Sequence, residues 1–269
     1  MAFLAILLAL SAVQLFGVQP LGGSWQARIH KAAQTVAGAV WVIGLPTLAV
    51  AAAYLWLAVH AWWLALPLAA AVLWLSIASA AHKQAVEQFI NAGRAEDWGA
   101  ASEVYRQLEG AALVAEGDWQ ALNKAVLERA AYLGFCQFFA VLFWFCLLGP
   151  AAALGYRLLC ISAQHNNWPP LGRFLWYVEW PAVRLLGLTF AFTGNFLTGI
   201  QRWLSCLSCS QRSSAEIITH YVLGALGVME GGRQTVDVTR RELFAMARLL
   251  RRSLWFWLGA LALLALRGW

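Results

Sequence analysis

Long apolar stretches at 34–58, 62–80, 131–156 and 253–267 alternate with two polar tracts, 82–129 and 201–252, and this alternation constrains the chain more than any motif in it. A hydrocarbon core of roughly 30 Å needs about 20 mostly apolar residues to cross it. The two stretches flanking His60–Ala61 each supply that length, with almost nothing polar between them. Composition agrees: of 269 residues, 61% are hydrophobic and 12% charged, against about one quarter charged in an ordinary soluble domain. The expected fold class is all-α, a polytopic integral membrane protein with cytoplasmic helical loops.

Sixteen tryptophans reinforce the expectation. Trp25, Trp62, Trp63, Trp168, Trp176, Trp180, Trp255, Trp257 and Trp269 fall near apolar ends, where an amphipathic ring suits the headgroup level. Trp56, Trp74 and Trp144 lie deeper and read as packing residues. Met1–Val18 has no basic leading segment and no convincing small-residue cleavage site, so it reads as an uncleaved first helix.

Basic residues orient the chain. Arg28 and Lys31 follow the first helix, whereas the turn at His60–Ala61 carries neither Lys nor Arg, which places 19–33 in the cytoplasm and His60 outside. The expected organisation is N-terminal transmembrane helices over 1–81, a cytoplasmic helical loop over 82–130 and central transmembrane segments over 131–200. A basic cytoplasmic helical region, 201–252, and a C-terminal transmembrane helix, 253–269, complete it. Because 201–252 is also basic, a return crossing is needed. Pro181–Ile200 is the candidate, as either a fifth span lining a cavity or a re-entrant element, since Arg184, Gly194 and Asn195 at membrane depth require protein or water around them. Six spans with both ends outside is the expected count, and four is its rival.

The first polar tract reads as helical: Val86, Phe89 and Ile90 recur at helical spacing, Gly93 is a natural stop, and Asp97 stands ahead of a second helix at Ala100–Leu108. Eight of the thirteen acidic residues lie in this tract, as a wetted surface demands. Cys206 and Cys209 form a Cys-x-x-Cys pair that could bind zinc or cycle as a dithiol, but a four-ligand site needs partners, and small packing residues are the simpler reading. Gly224, Gly227, Gly231 and Gly232 punctuate a segment ending in Arg233, read either as a helix turn or as a helix end open to an anion. Val238–Arg252 is amphipathic and basic, suited to an anionic membrane surface and requiring no nucleic acid.

Arg157 and Arg184 are the residues most in need of explanation, because a guanidinium in hydrocarbon must reach the interface, pair, or face a cavity. Together they could clamp a phosphate or carboxylate, and Glu179 could instead neutralise one of them. The candidate ligand-binding set is Tyr156, Arg157, Glu179, Arg184 and Arg233. No catalytic group, metal set or cofactor is indicated; His82 and His220 lack a second ligand nearby in sequence.

The run Leu142–Phe143–Trp144 with its glycine turn at Gly149–Pro150, followed by Gly155–Tyr156–Arg157 and then Glu179–Trp180 and Val183–Arg184–Leu185 with Gly187, resembles the AmpE family. It is distantly similar to the CobD/CbiB cobalamin-pathway enzymes. The resemblance implies a multi-pass protein of the bacterial inner membrane that modulates beta-lactamase induction and peptidoglycan recycling. Its implied partners are membrane lipid, an anionic small molecule or muropeptide, and a membrane or cytoplasmic protein. The Asn and acidic residue those enzymes carry before the Leu-Phe-Trp run are absent from Leu127–Gln137. A non-catalytic modulator is therefore the preferred expectation. An amide-forming enzyme using Glu103, Glu109 or Glu230 is the alternative, and a small transporter with a broken helix near Gly194–Asn195 is the second alternative.

Overall fold

The computed structural model describes residues 4–9, 35–77, 81–108, 114–164, 169–209, 211–228 and 235–266, and among these every regular element is helical. The elements used below are α1 (Val36–His60), α2 (Trp62–Ser76), α3 (Ala81–Arg94), α4 (Trp98–Gln107), α5 (Trp119–Gly134), a π-helical turn (Phe135–Phe139) and α6 (Ala140–Leu148). They continue as α7 (Pro150–Gln164), α8 (Pro169–Thr193), α9 (Phe196–Ser205), α10 (Ser214–Leu226) and α11 (Val236–Leu266). The chain divides into two compact units, each assembled from separated segments. Unit 1 holds residues up to Ser79, Cys136–Ala182 and the C-terminal residues from Leu261, and unit 2 holds Ala80–Phe135 with Val183–Ala260.

In unit 1, α7 packs against α1, α2 and α6. The approach to α1 depends on Gly155, where an added Cβ would lie 3.1 Å from Thr47 Oγ1. The stretch Val40–His60 of α1 is 21 residues long, and its most apolar window has no buried residue. Trp41, Leu48 and Val59 are 67%, 71% and 80% exposed. That stretch and Trp119–Leu148 are the two described helices long and apolar enough to cross a membrane; Trp63–Ser76 and Pro150–Ala163 are apolar but shorter.

In unit 2, α3 and α4 form an antiparallel pair, with Phe89, Ile90, Ala101 and Val104 turned inward. Asp97 caps α4 by accepting the Ala100 N–H at 2.9 Å, as its place ahead of the helix leads one to expect, and Asp118 caps α5 through Ala121 in the same way. The core lies where α5 meets α10, with Leu122, Val126 and Leu127 on one side and Ile217, Ile218, Tyr221 and Val222 on the other.

Three expected boundaries move, each for a local reason. The apolar helix expected at Ala131–Tyr156 begins earlier and breaks at Gly149, whose φ of +87° suits glycine. Pro150 then opens α7 at the position where a missing N–H costs nothing. The segment 181–200 is likewise divided: α8 runs through Pro181 and ends at Thr193, and Asn195 opens α9 by accepting the Thr198 N–H. Conversely, the amphipathic helix expected at Val238–Arg252 and the apolar helix after it are one, α11, because nothing between them breaks a helix. Ser253 at the join is buried, its hydroxyl 3.0 Å from Thr193 Oγ1.

Close backbone approach makes Gly199 a sensitive position, since a Cβ there would lie 2.9 Å from the Ala191 Cα. Gly199→Ala is expected to destabilise the protein by about 1–3 kcal/mol through overpacking. Gly172→Ala, with nothing within 4 Å of the added atom, is expected to be neutral or stabilising by up to about 1 kcal/mol. Denaturant unfolding in detergent, followed by tryptophan fluorescence, measures both.

Candidate functional site

The sequence-derived candidates fall into two separate constellations. In unit 1, α7 carries Tyr156 and Arg157 and α8 carries Glu179. All three are buried, Glu179 to 2% exposure and Arg157 to 7%. Tyr156 Oη donates to Glu179 Oε1 at 3.1 Å, so the carboxylate is held by a neighbouring hydroxyl across two helices. A hydrogen bond to a charged group contributes about 1.5–3 kcal/mol net, and leaving such a group unbonded costs more. Among the described residues, no hydrogen bond or ion pair joins the Arg157 guanidinium to a partner.

Arg184 belongs to unit 2 and does different work there. Its Nε donates to the Leu207 carbonyl at 3.1 Å and its Nη2 to the Cys209 carbonyl at 3.1 Å. Tyr221 Oη donates to the Cys206 carbonyl at 3.3 Å. These carbonyls belong to the turn that follows the end of α9, and a buried backbone carbonyl outside a helix needs a donor from elsewhere. Arg184 thus fixes that turn from another helix. Trp203 Nε1 closes the arrangement by donating to the Arg184 carbonyl at 2.8 Å.

Gly187, one turn beyond Arg184, makes room for these partners: a Cβ there would overlap the Tyr221 ring and lie 2.9 Å from Trp203. The α10 end is served reciprocally from α9. Arg202 donates to the His220 and Val228 carbonyls at 3.3 and 2.6 Å, and Thr198 Oγ1 donates to the Gly224 carbonyl at 2.6 Å. Gly227, at φ +69°, terminates α10 as a left-handed cap.

Of the five sequence candidates, the structure brings Tyr156 and Glu179 into contact, keeps Arg157 on the same helix as Tyr156, and places Arg184 in the other unit. Arg233 lies outside the described residues, as do Glu109, Glu230 and His165. Glu103 sits on the exposed face of α4, paired with Arg106 one turn away, an interaction contributing about 0–1 kcal/mol at such exposure. Sequence reading did not single out Tyr221, Trp203, Thr198 or Arg202 for these capping roles. The available signal was Gly187, whose spacing from Arg184 marks a face that must admit a large neighbour. No family model matches the chain, and no curated protein or solved structure matches it significantly.

Removing the Arg184 side chain leaves two carbonyls without their donor. Arg184→Ala is expected to destabilise unit 2 by about 1–3 kcal/mol for each group left unsatisfied, and Arg184→Lys to recover only part because an ammonium lacks the fork geometry. Thermal unfolding in detergent tests the magnitude. Hydrogen exchange should quicken across 206–209 before it changes in α7.

Proposed function

We propose that this chain is a multi-pass protein of the bacterial inner membrane and a regulatory or signalling modulator of the AmpE type, linked to beta-lactamase induction and peptidoglycan recycling. In this reading it recognises a phosphate- or carboxylate-bearing ligand through Arg157. The observation that carries ligand recognition is the buried Arg157 side chain with no partner among the described residues. An arginine keeps its charge in a protein interior, and removing most of a guanidinium's hydration without a partner is unfavourable. An anion with two acceptor oxygens offsets that cost and matches the guanidinium in a bidentate pair.

Arg184 has a different role in this reading. Its donors are engaged by the Leu207 and Cys209 carbonyls, so its contribution is structural. The Tyr156–Glu179 hydrogen bond likewise fixes α7 against α8 close in sequence to Arg157. Membrane placement is supported by the apolar, outward-facing surface of Val40–His60, which a bilayer would cover. The regulatory assignment draws on the resemblance carried by 142–150, 155–157 and 179–187.

Purified protein in lipid nanodiscs, titrated with an N-acetylmuramyl peptide, provides the test. Binding at one hundred times Kd is expected to stabilise the fold by about 2.7 kcal/mol. Arg157→Gln should abolish that gain and Arg157→Lys should retain a fraction of it. Arg184→Ala should lower the starting stability while leaving the ligand-dependent increment in place. Equal increments in wild type and Arg157→Gln would remove Arg157 from ligand recognition.

A further inference from the structure

The Cys206–Leu207–Ser208–Cys209 turn has a geometry that neither packing nor the proposed ligand recognition uses. It follows α9 directly, and the Cys209 N–H donates to the Cys206 carbonyl at 3.4 Å. Such a four-residue turn brings its end Cα atoms within about 7 Å, and a disulfide spans Cα separations of about 4.4–6.8 Å. The two residues thus stand at the ends of one tight turn. Cys206 is buried and Cys209 half-buried, and both are free thiols. Cys209 Sγ also lies 3.8 Å from the Ser205 carbonyl.

The frame around the pair is fixed. The Cys206, Leu207 and Cys209 carbonyls are bound by Tyr221 and Arg184, so the sulfurs are carried on a backbone that has little freedom to separate them. Arg184 and Arg212 oppose, without cancelling, the effect of burial on the Cys206 thiol. Among the described residues, no three His, Cys, Asp or Glu side chains converge as a metal-ligating group, whereas a two-electron dithiol reaction needs only these two sulfurs.

We infer that Cys206 and Cys209 form a dithiol–disulfide site that exchanges with a disulfide donor of the glutathione class. Cys209, the more accessible thiol, loses its proton to water and attacks one sulfur of the donor RSSR. The donor S–S bond breaks, RS⁻ leaves, and Cys209 carries a mixed disulfide. The Cys206 proton passes to the departed RS⁻ as the Cys206 sulfur attacks the Cys209 sulfur, closing the internal bond and releasing a second RS⁻, which takes its proton from water. The protein gives up two electrons and two protons, and the donor gains them as two RSH. This order of events keeps Cys206 protonated until the second step, as fits a thiol that burial pushes up to about 11. Closure withdraws the Cys209 sulfur from the Ser205 carbonyl and so alters the turn that Arg184 grips.

The site lies on a convenient tryptic peptide, residues 203–212, bounded by Arg202 and Arg212 and containing no other cysteine. Full-length protein in nanodiscs is incubated with oxidised glutathione, quenched in acid, unfolded, alkylated with iodoacetamide and analysed by mass spectrometry. The peptide is expected to lose both alkylation sites together, to become two hydrogens lighter, and to recover both sites on treatment with reduced glutathione. Cys206→Ala should stop at a stable glutathione adduct on Cys209, and Cys209→Ala should keep Cys206 alkylatable. A wild-type peptide that stays doubly alkylated, or that accumulates an unclosed glutathione adduct, overturns the inference.

Discussion

Backbone carbonyls at and just beyond the ends of buried helices must be met by donors from elsewhere, and unit 2 is organised by that requirement. The carbonyls after α9 are met by Arg184 and Tyr221, and those around the end of α10 by Thr198, Arg202 and the Asn195 N–H. The supply is reciprocal, with α9 serving α10 while α8 and α10 serve α9. Each side chain contributes about 1 kcal/mol net, yet removing one leaves an acceptor whose loss of hydration is no longer offset. Small residues make the arrangement possible. Gly187, Gly199 and Gly224 stand where an added methyl would strike Tyr221, the α8 backbone or the Arg202 stem.

The two buried arginines show how differently the same side chain can be accommodated. Arg184 is held in part by two backbone carbonyls of the turn that follows α9. Arg157 sits on a helix one residue after Tyr156, whose hydroxyl is already committed to Glu179. Arg157 and Glu179 are both buried, yet no ion pair joins the two. The anion recognition proposed above rests on Arg157, and not on Arg184, for that reason.

Much of the helical content was legible from apolar periodicity and caps. The hairpin at His60–Ala61, the α3–α4 pair and the Asp97 cap follow from residues a few positions apart, which is the range over which sequence pattern speaks. The breaks at Gly149 and Gly194 were both marked in the sequence, one as a glycine turn with Pro150 and the other as a broken helix in one of the alternative readings, and each is real because a glycine inside an apolar run ends a helix when a neighbouring residue starts the next one. Pro150 does so in one case and Asn195 in the other. The site was legible in its residues and not in its pairings. Arg184 and Glu179, five residues apart on one helix, invite a mutual ion pair from sequence alone. Their actual partners stand 23 or more residues away, at Tyr156, Leu207 and Cys209.

Because unit 2 is built from two stretches separated by the Cys136–Ala182 segment of unit 1, its core cannot close as the chain emerges. The face of α5 bearing Leu122, Val126 and Leu127 is made early, and the α10 face that covers it is made about ninety residues later. At synthesis rates of roughly 5–20 residues per second, that interval lasts roughly 5–20 s. For that time α5 presents an uncovered apolar surface beside the ribosome. Some temporary neighbour must shield the early half of the unit in the meantime, and the discontinuity sets a biogenesis requirement that the finished structure no longer displays.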